Sequence, residues 1–315
     1  MTSGGIALRG NGSNEDLSEE QIDKINLMYL DTKQLRDDLI STRSSEKDFC
    51  DLEMCRRYLV AREWKYSAAL EQLKSTLIWR IDQHPGSKMD FWQSPKPLNN
   101  PHAINFRCVG LDKNEHPVLY TCFAQAHDRY DVDASATHTL LLTEACMELI
   151  LKRRNHGLNE TAESRQLVWI VDFAGFGLRD NNPKMGLKIA KLLMMHFPET
   201  LNLVVCVNAP RIFNLFWSVL KTIFDDKLRS KVLFISGNTS LKDGLENRFG
   251  TEATEWILSE MEDNELKREA SEYKKYWIAP KNELDHNPRG FPSYVSSEWY
   301  IKTPGDAYEE NRKGN

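Results

Sequence analysis

The stretch 167-LVWIVDF-173 is apolar at almost every position, where a strand with one solvated face would alternate. Such a strand needs cover on both sides, and a parallel sheet held between helices supplies it. The seven residues ending at Val207, LNLVVCV, repeat the pattern, and 117-PVLYTCF-123 and 231-KVLFI-235 add two more strands. Between them apolar residues recur at helical spacing over about 136–154, 183–196 and 211–224. A further strand near 105–110 is followed by the turn 111-LDKNEH-116. Alternating strands and helices of this kind define an α/β fold with a mostly parallel sheet.

The pattern ahead of residue 102 is different. Ser18 with Gln21 forms a capping box and Leu17 with Ile22 has the spacing of a hydrophobic staple, so the sequence predicts a helix from 18 to about 40. Two more helices follow over about 46–62 and 67–80. The organisation expected is a Gly/Ser/Asn-rich tail over 1–16, a small helical unit over 17–84 and a proline-rich linker over 85–101. An α/β domain over 102–263 and a polar, aromatic-punctuated extension over 264–315 complete it.

Several function classes lose their footing early. A formal charge of −5 argues against broad nucleic-acid binding. The six cysteines sit mostly among apolar residues without a C-x-x-C pair, and the histidines are scattered, so zinc and other metal sites are not expected. No apolar run approaches the roughly 18 residues that span a bilayer, no charged-then-apolar leader opens the chain, and Thr2 excludes myristoylation. Membrane contact is therefore expected to be peripheral and the protein cytoplasmic. The Gly-x-Gly in 174-AGFGLRD-180 lacks the third glycine of a dinucleotide fingerprint and reads as a turn. Asp172 is read as a turn-bonding carboxylate and His196 as a hydrogen-bonded core or interface residue; no nucleophile accompanies either, so no cofactor and no enzyme activity are expected.

The helix over 211–224 is unusual. Ile212, Phe213, Leu215, Phe216, Val219, Leu220, Ile223 and Phe224 recur at helical spacing, and Trp217 widens the apolar surface beyond one stripe. One reading is a core helix buried on both sides. The other takes in its surroundings, where Arg211, Lys221, Lys227, Arg229 and Lys231 outnumber Asp225 and Asp226. Apolar bulk beside cations suits an anionic membrane surface.

With these residues in view the chain resembles the CRAL-TRIO lipid-binding family, in particular its phosphatidylinositol-transfer group. The resemblance rests on Pro198-Glu199, on Asn208-Ala209-Pro210 before the apolar helix, and on Lys231. It also draws on 57-RYLVARE-63, Trp79-Arg80, 110-GLDKNEHPV-118 and 172-DFAG-175, in the family's order. It implies a sheet flooring an apolar cavity, a gate formed by the helix after Asn208-Ala209-Pro210, and a lipid head group held by Arg62, Glu199 and Lys231. Arg211, Lys221, Lys227 and Arg229 would face the membrane. A structural ion pair between Glu199 and Lys231 is the alternative. Glu63 stands where the family often has a second cation and Leu228 where it has a phosphate-binding threonine. Leu167 and Trp169 stand where it has choline-lipid hydroxyls, and Glu115-His116 replaces its turn Gly-Arg.

The resulting expectation is a carrier that binds one phospholipid or other hydrophobic ligand and exchanges it at an anionic membrane surface, with transient membrane association. Phosphatidylinositol is the leading cargo. A sterol or isoprenoid carrier, and a regulatory adaptor that presents lipid or tethers a partner through 291-FPSYVSSEWY-300, are the alternatives; protein partners are not identified by the sequence.

Overall fold

The computed structural model describes residues 17–42, 49–82, 106–125 and 166–251, apart from positions 115, 181 and 237, with parts of 130–147 and 254–262. The expected tail at 1–16, linker at 85–101 and extension at 264–315 lie outside the described residues, as does 291–300. The described residues fall into two compact units, each considered by itself.

The helical unit holds α1 (Glu19–Asp31), α2 (Lys33–Thr42), α3 (Leu52–Ala61) and α4 (Tyr66–Asp82). The capping box at Ser18 is formed: Ser18 Oγ accepts from the Gln21 N–H and Gln21 Oε1 accepts from the Ser18 N–H. The single helix predicted to about 40 is in fact two. The buried Thr32 donates its hydroxyl to the Met28 carbonyl at 2.8 Å, and Arg36 reaches back to the Tyr29 carbonyl at 2.7 Å with its guanidinium 3.4 Å from the Tyr29 ring centre. Side chains thus serve carbonyls at the end of α1, which ends there. Asp51 caps α3 by accepting from the Met54 N–H. Ile25, Met28, Leu39, Met54, Cys55, Leu59, Leu73 and Leu77 make the core. Burial pushes the Cys55 thiol up to about 12, so it packs as an apolar group.

Residues 194–199 belong to this unit. Trp79 stacks on His196 at 4.0 Å, Thr76 Oγ1 lies 3.1 Å from His196 Nδ1, and Tyr58 donates to the His196 carbonyl. His196 is the hydrogen-bonded interior residue the sequence implied. Arg80, 1% exposed, lies over the Phe49 ring at 3.6 Å.

The second unit is built on a five-stranded sheet of order β1-β2-β3-β4-β5: β1 (Phe106–Leu111), β2 (Pro117–Cys122), β3 (Leu167–Asp172), β4 (Leu201–Val207) and β5 (Val232–Ile235). Only β1 and β2 run antiparallel; β2 through β5 are parallel. Parallel neighbours need long crossovers. Helical positions between 132 and 147 lie between β2 and β3, α5 (Pro183–His196) between β3 and β4, and α6 (Phe213–Ile223) with α7 (Asp226–Ser230) between β4 and β5. The strand parity sorts the two faces. Val118, Tyr120, Val168, Ile170, Val205, Val207 and Ile235 face α8 (Asn238–Phe249) through Leu241, Leu245 and Phe249. Trp169, Val171, Val204, Cys206 and Val232 turn to the opposite face, beneath α6.

One polar hub ties the β1–β2 turn to this framework. Asp112, buried, accepts from the backbone N–H groups of Asn114 and His116 at 2.9 Å each, while His116 Nδ1 and Arg248 Nη2 each lie 3.1 Å from its second oxygen. Arg248 also donates to Asn202. His116 is one of the departures from the family's turn; here Arg248, from the end of α8, brings the guanidinium to the carboxylate. Burial alone would raise the Asp112 carboxyl, but the bonds from His116 and the charges of His116 and Arg248 outweigh it and hold it below the usual range.

Asp112→Asn would point an amide at N–H donors and is expected to cost about 1–3 kcal/mol near neutral pH, read by urea unfolding. A depressed folded pKa stabilises only above the unfolded value, about 3.9, and that contribution is lost as pH falls through the folded pKa. The gap between wild type and variant should therefore close in acid; a gap that persists there would contradict the ionic role of Asp112.

Candidate lipid site

Both ends of β4 are set by residues in the left-handed region: Glu199 at φ 56° before it and Asn208 at φ 53° after it. Asparagine accepts this conformation readily and glutamate does not, at a cost of about 1–2 kcal/mol. The Pro-Glu and Asn-Ala-Pro signatures are therefore turns that aim the chain. After Asn208 the Phe213 N–H donates to the Pro210 carbonyl at 2.9 Å and α6 begins, with Ile212 at its N-cap. The helix is shorter than the 211–224 expected, since Phe224 has turned to extended backbone at its C-cap.

The eight apolar residues named for the gate divide by face. Phe213 and Leu220 are buried, and Ile212, Phe216, Ile223 and Phe224 half-buried with Trp217. Leu215 and Val219 stay 66% and 44% exposed. The inward rings meet the sheet directly. Phe213 lies 4.6 Å from Phe173, 6.4 Å from Phe176, 5.3 Å from Phe216 and 6.3 Å from Phe234, centre to centre. Trp217 lies 5.4 Å from Phe234 and 6.0 Å from Phe224. On the same face Trp169 lies 6.4 Å from Phe123. Cys206 packs here too, its thiol pushed up to about 12 by burial, so it is no nucleophile near neutrality.

The 173–180 loop beneath α6 is the turn the sequence implied. Asp172 accepts from the Tyr120 hydroxyl at 2.6 Å and from the Ala174 N–H at 2.9 Å, Gly175 is left-handed at φ 71°, and Asp180 accepts from the Gly177 N–H. This loop carries Phe173 and Phe176.

The head-group candidates belong to different units. Arg62, exposed at the C-cap of α3, donates from Nε to Gln72 Oε1 at 2.6 Å, and Gln72 in turn donates to the carbonyls of Met194 and Met195. Arg62 and Glu199 belong to the helical unit, whereas Lys231 belongs to the sheet unit. Lys231 is the C-cap of α7, half-buried, with Nζ donating to the Leu201 carbonyl at 2.7 Å.

The basic group is likewise differentiated. Arg211 and Lys221 are exposed, and Lys221 Nζ lies 5.8 Å from the Trp217 ring. Lys227 and Arg229 sit on α7, a helix the sequence reading missed. Its signal was present in Asp225, which caps the helix by accepting from the Leu228 N–H at 2.7 Å. Arg229 pairs with Asp226 at 2.7 Å, so its charge is offset locally. A second missed residue is Gly186 of α5, which meets the tip of the Phe216 ring. An unexplained glycine inside a helical run was the only trace of it.

Residues 105–255 of this chain match the family model for the CRAL/TRIO domain. The chain is 28% identical over 222 residues to Protein real-time of Anopheles gambiae, covering 66% of this chain and 31% of that protein. It is 21% identical over 239 residues to Phosphatidylinositol transfer protein CSR1 of Eremothecium gossypii, covering 73% and 53% respectively. The first curated relatives are much longer, and this chain spans 29–32% of their length. In fold it is similar to the crystal structure of Sfh5, with a TM-score of 0.51 at 14% identity, covering 75% of this chain and 96% of that one. Among the described residues no helix is long and apolar enough to cross a membrane.

The burial pattern of α6 makes a contrast that stability can read. Phe213→Ala, which empties the centre of the aromatic cluster, is expected to cost about 3–5 kcal/mol. Leu215→Ala on the outer face should stay within about 0.5 kcal/mol in the same urea titration. Equal effects would mean that α6 is not seated on the sheet as described.

Proposed function

We propose that this chain carries a single lipid beneath α6 and exchanges it at anionic membrane surfaces, without covalent catalysis and with phosphatidylinositol as the leading cargo. The observation that carries this reading is the two-sided α6: an aromatic inner face closed on the sheet and an outer stripe of Leu215 and Val219 left in water. A helix with this division can cover acyl chains, whose exposure costs about 0.8 kcal/mol per methylene, and can present apolar side chains to a bilayer when it swings away. Arg211, Lys221 and Lys227 would steer that approach, with Arg229 contributing less because of Asp226. The protein would work from the cytoplasm and touch membranes transiently.

Lys231, Glu199 and Arg62 are proposed to receive the head group, the cations for phosphate and the carboxylate for inositol hydroxyls. A second reading has its own support. The rings of Phe123, Trp169, Phe173, Phe213 and Phe234 give the proposed chamber flat, rigid walls, which suit a sterol or isoprenoid as well as an acyl chain.

Transfer of labelled phosphatidylinositol between vesicles tests the carrier reading. Leu215→Asp should leave folding intact and sharply reduce both vesicle binding and transfer. Raising salt from about 0.1 M to about 1 M shortens the screening length from about 10 Å to about 3 Å and should weaken binding to anionic vesicles. Full transfer by Leu215→Asp would remove the membrane role of α6. Head-group assignment is tested by mass spectrometry of lipid that co-purifies with Lys231→Ala, alongside its melting temperature. Loss of phosphatidylinositol by a folded variant is the expected result; a full load of it would put the sterol or isoprenoid reading first.

A further inference from the structure

Gly186 has no conformational reason to be glycine. It lies inside α5 at ordinary helical backbone, where glycine is less favourable than alanine. Its reason is space. A Cβ built there would lie 2.1 Å from Phe216 Cζ and 3.0 and 3.1 Å from the two Cε atoms. These are the three atoms at the tip of the ring, so Phe216 points end-on into a notch on α5 that only glycine provides. The same ring touches Phe213, which is seated on the sheet. Met185 and Ile189, buried with Ala136 among Phe123 and Trp169, hold the notched face of α5 firmly in place. Phe216 is half-buried, so its ring has a path outward.

We propose that the Gly186 notch is the catch that holds α6 shut, with the Phe216 ring as its bolt and the fit between them setting how often α6 opens. The proposal rests on the reading of α6 as the moving cover of a lipid site and adds the contact that controls its equilibrium. A contact made only in the closed state shifts the balance by its own free energy, so filling the notch should raise the open population without touching the lipid-facing rings.

Amide hydrogen exchange reads opening directly, without lipid or vesicles. Gly186→Ala should accelerate exchange of the 213–223 amides at least roughly tenfold while the 238–249 amides of α8 stay unchanged, as local opening requires. Phe216→Ala, which removes the bolt instead of blocking its seat, should do the same. The pair gives a sign test. With Phe216 already truncated the clash is gone and alanine is simply the better helix former, so adding Gly186→Ala should leave exchange unchanged or slow it. Acceleration of the same size in both backgrounds would overturn the catch, as would a joint rise in α6 and α8, which would mark a general core contact. Vesicle-to-vesicle transfer separates this inference from the carrier reading. If Gly186→Ala opens α6 and changes the transfer rate, both stand. If it opens α6 and transfer is unchanged, the catch stands and the carrier role of α6 falls. If α6 exchange is unchanged, the catch falls whatever transfer does.

Discussion

Four parallel strands, β2 to β5, cannot leave either face in water, and the two faces of this sheet are covered in different ways. On one side Leu241, Leu245 and Phe249 of α8 interlock with aliphatic side chains from β2 to β5, a packing with the fixed, dense character of a protein interior. On the other, beside Met185 and Ile189 of α5 against Trp169, the cover is α6, whose contact is made of rings set at steep angles to one another. Large flat side chains contribute much apolar area through few residues. A cover of that sort can be strong when closed and still leave as one body. The proposed carrier role requires that the first of these covers stay in place and the second be able to leave.

Much of the framework was legible because it depends on local pattern. The continuous apolar strands gave the parallel sheet, and α5 occupies the same 183–196 range that its periodicity predicts. The break at Thr32 was not legible, because it depends on where a hydroxyl and an arginine four residues later find carbonyls. Neither α7 nor α8 was anticipated: α7 is a single capped turn and a little more, and α8 reads NTSLKDGLENRF, too polar for its Leu241 and Leu245 to stand out. Pairings across the chain are harder still: Asp112 with Arg248 leaves no trace in local sequence, and Gly186 with Phe216 leaves only an unexplained glycine in a helical run.

The candidate site shows the same division. The alternation along α6 could be read directly, but which residues face inward required the sheet to be in place. Arg62, Glu199 and Lys231 were singled out by family resemblance, not by any spacing of their own. The structure gives Arg62 and Lys231 partners in their surroundings, a glutamine side chain and a backbone carbonyl. Lipid binding at either would compete with, or be added to, those bonds.

The bond between Tyr120 and Asp172 has a mechanical meaning. Tyr120 is packed into the α8 side of the sheet, while the second oxygen of Asp172 fixes Ala174 and so the turn that delivers Phe173 to the opposite face. One carboxylate therefore registers both covers at once, and the seat on which Phe213 rests is aimed from behind the sheet. A disturbance in the α8-side core would arrive at α6 as a change of angle, and under the proposed carrier role that would make the far side of this domain a place from which opening could be tuned without ever approaching the lipid.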